Sequence, residues 1–473
     1  MENKPKMLVY VLCYGAGMLF ASSAHYYLSG ASLLLAAVWL YWRDVKKYGS
    51  LLDLQALFSL FFIGGQGISC LKLSKLQTDW SLKTWLCFFC AAAVFRLVYG
   101  RARSFFQSRE PSKKGKRKWA GDKRSRIFTA ILILTAISLM AFLLEAAVLG
   151  YVPFFVRGVP HAYSYFHISG VHYFTVSCVL VPSMAVLWLF SDFRQGWEDA
   201  REQEISEDRL PKKCRRFYRL AAAGSRKETA AVLAAVLTAV LIPVLCVSRF
   251  QLIFGVILAV LTFMTVTGNQ RIRYLIAAAA ALIPLYIVLT IARSHDVAYL
   301  NGIFEMKNPQ TPIFVTQPYM YIANNYDNFN CLVEELPRHS LGLKGMFPLW
   351  AFTGLKFLKP ELVNWPLYTT KEELTTVTLF YDAYYDFGVA GVILFAAALG
   401  AAAGALSVWY RRGTNPAWPL FYAQAALYFM LSFFTTWYSN PTTWFYFGVT
   451  AAFALWCGRN GWPFQKDRGT EKQ

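Results

Sequence analysis

Apolar runs bounded by charged or turn residues recur along almost the whole chain. They cover roughly 8–24, 29–42, 51–70, 84–99, 127–149, 171–190, 229–246, 250–267, 274–292, 385–408, 417–436 and 442–457. A membrane-crossing helix needs about 20 mostly apolar residues. The pattern therefore predicts an all-α polytopic membrane protein with about twelve transmembrane helices, residues 1–473 forming a single multi-pass membrane domain. Lys4 and Lys6 ahead of the first run imitate a signal peptide. Further runs follow at once, so the segment is read as a first helix. Between the ninth and tenth runs lies a long mixed stretch, 293–384, which predicts a large, partly helical loop.

Composition sharpens the class. Of the 473 residues, 56% are hydrophobic and 16% charged; soluble chains average about 45–50% and about 25%. A disordered chain, a coiled coil and a small disulfide scaffold are excluded. The nine cysteines sit mostly in apolar runs, and Cys87 and Cys90, despite C-x-x-C spacing, read as packing residues. The net charge of +20 raises the question of nucleic acid, and its distribution answers it. With the N-terminus inside and sides alternating, the inner segments hold 34 Lys and Arg and the outer ones 12, with Arg96 inside a run. That asymmetry is a topology signal: both termini cytoplasmic, and no nucleic-acid partner. Residues 101–126 form a basic cytoplasmic loop of net charge +9, suited to anionic membrane lipids. Residues 192–228 form a charged cytoplasmic loop with ten basic and eight acidic groups, a solvated face. The 293–384 loop falls outside the membrane, as an extracytoplasmic cap over an active site.

Chemistry-bearing residues gather on that outer side. All six histidines map there, namely His25, His161, His167, His172, His295 and His339. In the large loop, aromatic residues including Tyr326 and Trp365 interleave with amides including Asn324 and Asn325. Ring faces stack on pyranose C–H groups and amides reach hydroxyls, so the loop suits saccharide or, on the plain alternative, packs as a folded cap. Arg157, Arg249, Arg293 and Arg338 lie at outer positions. A guanidinium fork grips phosphate oxygens bidentately, and the first three are candidates for holding a pyrophosphate; snorkelling anchors are the alternative. Asp386, opening the run 385–408, is a candidate for substrate contact, with helix capping as the alternative. A base that takes a proton from a sugar hydroxyl has candidates in His172, His167, His295, Asp296 and Glu145, and spacing does not choose among them. No phosphate-cradling loop, dinucleotide fingerprint, H-E-x-x-H or G-x-S-x-G occurs, so no cofactor or metal is expected.

Four segments carry a family resemblance. They are GYVPFF followed by SGVHYF, the turn SRFQLIF, PYMYIANNYDNF in the large loop, and YYDFGVAGVILFAAALG. In order and topology, over roughly residues 145–400, the chain resembles the bacterial oligosaccharide repeat-unit polymerases, the O-antigen and capsule polymerase family. The resemblance implies a glycosyltransferase of the bacterial inner (plasma) membrane. Such an enzyme joins polyprenyl-pyrophosphate-linked oligosaccharides on the outer leaflet into a surface or exopolysaccharide, beside a flippase and a chain-length regulator. Two alternatives share much of this pattern: an O-antigen ligase-like enzyme, and a lipid-linked oligosaccharide flippase or other transporter.

Overall fold

The computed structural model describes residues 3–108, 122–156, 162–190, 226–292, 297–413 and 415–458. Half of the basic 101–126 loop (109–121) and nearly all of the 192–228 loop lie outside them. The described chain is helical, with no strand beyond one isolated bridge between Ser74 and Met306. The first four long helices are α1 (Asn3–Ser22), α2 (Tyr26–Tyr48), α3 (Leu54–Ser69) and α4 (Leu82–Ser108). Next come α5 (Asp122–Leu149), α6 (Val171–Phe190), α7 (Arg226–Leu245), α8 (Arg249–Thr267) and α9 (Ile272–Ala292). Then follow α10 (Ile313–Glu335), α11 (Tyr381–Arg412), α12 (Ala417–Met430) and α13 (Pro441–Cys457).

Each of the twelve apolar runs carries a helix, and α10 lies within the 293–384 stretch. Among the described residues, six helices are long and apolar enough to cross a membrane, in α4, α5, α6, α7, α8 and α11. The other runs fall short for local reasons. Helices α12 and α13 have 14 and 17 residues, α3 (Leu54–Ser69) is likewise under 18 residues, and α2 ends in Arg43, Asp44, Lys46 and Lys47; α3 also contains a π-helical turn at Ser59–Ile63.

The described residues group into two compact units. Unit 1 takes 3–108, 297–408 and 425–444; unit 2 takes the remainder. In unit 1 the sequence Gly400-Ala-Ala-Ala-Gly404 sets small residues one turn apart on α11. A Cβ at Gly400 would sit 2.7 Å from the Phe95 carbonyl oxygen, and one at Gly404 2.8 Å from that of Tyr99. Only glycine lets α11 lie this close to α4.

Unit 1 also buries charge in pairs. Arg96 Nη1 donates to Asp44 Oδ2 (2.7 Å), which Gln55 Nε2 also reaches (2.9 Å), and the same guanidinium donates to Ser59 Oγ within the π turn of α3. Arg103 pairs with Asp53 (2.6 Å), whose other oxygen accepts the Gln55 and Ala56 N–H groups and so caps α3. Lys72 pairs with Asp327 of α10 (2.7 Å). Ion pairing of this kind is what ionisable groups beside apolar helices require.

Helix α10 packs on α3 and α4. Its polar face turns inward, with Asn324, Asn325, Asp327, Asn328 and Asn330 all buried. In unit 2, α5 packs on α6 and α7, and α8 on α6, α7 and α9. Leu233, Leu237 and Leu241 of α7 and Ile133, Met140 and Leu144 of α5 remain exposed. Apolar faces that no protein covers are what lipid-facing helices present.

Candidate functional site

One end of unit 2 gathers groups from α5, the loop after it, α6 and the α7–α8 turn. Helix α5 ends at Leu149, and α6 begins after Gly170, whose φ of 90° is open only to glycine without strain. This reversal brings the last turn of α5 beside the first turn of α6. Glu145, completely buried, accepts from three donors there. The Ile168 backbone N–H (2.9 Å) and the Thr175 hydroxyl (2.7 Å) donate one each. His172 Nδ1 lies 3.1 and 3.2 Å from its two oxygens.

The geometry has a chemical consequence. A carboxylate that accepts from Nδ1–H fixes the imidazole tautomer and leaves the basic lone pair on Nε2. His172 keeps 29% of its side chain exposed while Glu145 has none. The arrangement is an oriented, accessible base backed by a buried carboxylate, the logic of a base and its orienter.

Two further predicted residues lie at this end. The His167 ring is 6.3 Å from that of His172, and its Nδ1 contacts the Ser164 carbonyl (3.1 Å). Arg249 opens α8, directly after the N-cap Ser248, and is buried. Val247 in the same turn adopts a left-handed φ of 52° and packs in a small cluster against Tyr163 of the 162–168 loop.

Other predicted site residues have different positions. Arg157, Arg293 and His295, with Asp296, lie outside the described residues. Asn324, Asn325 and Tyr326 are buried in α10 and spend their polar atoms inside unit 1. Asn324 Nδ2 donates to Asn328 Oδ1 (3.1 Å) and its oxygen accepts from Thr370 (2.8 Å). Asn325 Nδ2 donates to the Tyr321 and Phe433 carbonyls (2.7 Å each). The Tyr326 hydroxyl donates to the Phe62 carbonyl (2.8 Å). In the folded chain these groups stitch α10 to its surroundings. Asp386 neither caps its own helix nor lies open. Its carboxylate accepts the Lys344 and Gly345 N–H groups (3.1 and 2.8 Å) and the Ser340 hydroxyl.

Sequence reasoning missed the buried acids Asp44, Asp53 and Asp327. Arg96 inside an apolar run was the available signal, since a guanidinium there needs an acid. Asp327 had a weaker one: Asn324 and Asn328 stand one helical turn apart around it, an inward polar stripe.

Comparison with protein-family models, with curated proteins and with solved structures finds no match.

Proposed function

We propose that the chain is a membrane glycosyltransferase that polymerises polyprenyl-pyrophosphate-linked oligosaccharide repeat units on the outer leaflet. The observation that supports this reading best is the Glu145–His172 pair: an accessible imidazole whose Nδ1 is held by a buried carboxylate, at an end of unit 2 that the charge count assigns to the outer side.

In the proposed reaction, His172 Nε2 takes the proton from an acceptor sugar hydroxyl as its oxygen attacks the anomeric carbon of the donor. The bond from that carbon to the pyrophosphate oxygen breaks, and the polyprenyl pyrophosphate leaves with the electron pair. Glu145 stabilises the imidazolium that forms. In this proposal Arg249, at the turn that opens α8, offsets the leaving group's charge. The energy resides in the donor's pyrophosphate bond, so the step needs no nucleotide.

The testing experiment compares cells with and without the protein. Lipid-linked saccharides are extracted, sized and probed for leaflet accessibility. The proposal expects single repeat units exposed on the outer leaflet. Single units trapped inside would indicate a flippase, and long polymer left on the carrier lipid would indicate a ligase.

A further inference from the structure

Unit 1 contains a cavity of about 370 Å³ that plays no part in the His172 chemistry. The turn at 343–347, the segment 362–367, the first turn of α11 and the connection 435–441 form its walls. By the charge count, every one of these segments belongs to the outer side. The cavity lies in the lower part of the range for small-molecule sites, about 300–1,000 Å³.

Its lining is mixed in a specific way. Trp365 presents an indole fixed by its own Nε1–H, which donates to the Leu362 carbonyl (3.2 Å), and by edge contact with Tyr385 (5.9 Å). Asp382 is almost fully buried, and the Thr436 and Ser439 side chains line the cavity with it. Lys344 Nζ stands 4.2 Å over the Tyr385 ring, in the field of Asp382 and Asp386. Asn440 adds an amide. Arg338 stands 5.6 Å over the Trp365 ring, so with Lys344, Asp382 and Asp386 the surroundings hold two cations and two anions and ask for no net charge. They offer donors and acceptors side by side beside an aromatic face and the apolar Phe347. A phosphate would meet the Asp382 carboxylate; a bare hydrocarbon would strand the Lys344 and Asp382 charges.

The wall is also built in advance. Asp386 clamps the turn that carries Lys344 through the two backbone N–H groups at 344 and 345. A Cβ at Gly345 would lie 2.6 Å from Asp386 Oδ2, so only glycine permits the clamp. The helix is interrupted directly afterwards, at Phe387 and Gly388 (φ 60°, ψ −144°), which ends the first turn of α11 at the cavity. A preset turn of this kind lowers the ordering cost of binding.

We propose that this cavity is a binding site for a neutral, hydroxyl-rich sugar ring, stacked on Trp365 with its hydroxyls on Asp382, Lys344 and Asn440. It deepens the function proposed above, since the sugar would belong to the repeat unit or the growing chain, but the binding itself does not depend on polymerisation.

The test uses the full chain in phosphatidylcholine nanodiscs, free of glycoside detergents. Burial draws the Lys344 amine below the ordinary lysine range, against the pull of Asp382 and Asp386. Its acylation by an amine-reactive acetyl ester at mildly alkaline pH is followed by peptide mass spectrometry. The probes are the methyl glycosides of glucose, galactose, rhamnose, N-acetylglucosamine and N-acetylgalactosamine, with methyl glucuronide and inorganic phosphate as anionic controls. At least one neutral glycoside should slow Lys344 acylation several-fold and leave Lys359 unaffected. Asn440→Ala and Trp365→Ala should each remove that protection, and Asn440→Ala carries the test if Trp365→Ala does not fold. His172→Ala should retain it, which separates failure here from failure of the proposed reaction. Protection by no neutral glycoside, or equal protection by glucuronide or phosphate, would overturn the proposal.

Discussion

At the residue scale, the proposed reaction rests on two side chains whose roles differ. His172→Ala should lower polymer formation by about 10²–10⁴-fold, the usual contribution of a positioned base, with protein levels unchanged. Glu145→Gln should also lose most activity, because an amide can present its N–H to Nδ1 and select the wrong tautomer. Lipid-linked saccharide sizing in complemented cells reads both, and wild-type polymer from His172→Ala would remove the residue from the mechanism. The pair was hard to read from the sequence. His172 stood among several bases, and Glu145 lies 27 residues away across a loop. Only the reversal between α5 and α6 joins them. Asn324 and Asn325 show the opposite case. Their residue type suited sugar, but burial in α10 assigns their amides to protein carbonyls and side chains.

The buried charges are a residue-scale matter of stability. Asp327 accepts from Lys72, Trp80, Gln77 and Ser69 at 2.7, 2.9, 2.7 and 3.1 Å. Asp327→Ala leaves Lys72 buried without its carboxylate, a loss of about 3–5 kcal/mol by the behaviour of broken buried pairs. Removing both charges, Lys72→Met with Asp327→Leu, should cost less than Asp327→Ala alone. Thermal unfolding of the purified protein checks the order, and a double variant less stable than the single would contradict it.

At the element scale, hydropathy located twelve of the helices α1–α13 because burial in lipid and burial in protein both demand apolar runs. It did not locate the π-helical turn in α3, whose first residue, Ser59, accepts a hydrogen bond from Arg96 of α4. Nor did it single out α10, whose stripe of amides reads as solvent-exposed loop until the neighbours are known. Helix contact gives its own prediction. Gly404→Leu must push a side chain into the Tyr99 carbonyl of α4, where even a Cβ would lie 2.8 Å away. Overpacking of this kind costs about 1–3 kcal/mol. Gly15→Ala in α1 meets nothing within 4 Å and should be neutral or stabilise by roughly 0.5–1 kcal/mol, since alanine is the better helix former. A lower melting temperature for Gly15→Ala than for Gly404→Leu would show that packing on α4 is not the constraint.

At the scale of the whole molecule, the account joins a helical membrane chain, a strongly asymmetric basic charge and two polar sites on segments assigned to one side. The side assignment is testable by itself. In intact cells, a membrane-impermeant thiol reagent should label Lys359→Cys and leave Lys116→Cys unlabelled until the membrane is opened. The reverse pattern would put His172 and the Trp365 cavity in the cytoplasm and end the proposed reaction.

The central claim is that the protein joins saccharide units already carried across the membrane. The most direct measurement is extraction of lipid-linked saccharides from cells producing the His172→Ala protein, with sizing and a test of leaflet accessibility. The account predicts single repeat units on the carrier lipid, reachable from outside. Long polymer still on the carrier, or single units reachable only after the membrane is opened, would contradict it.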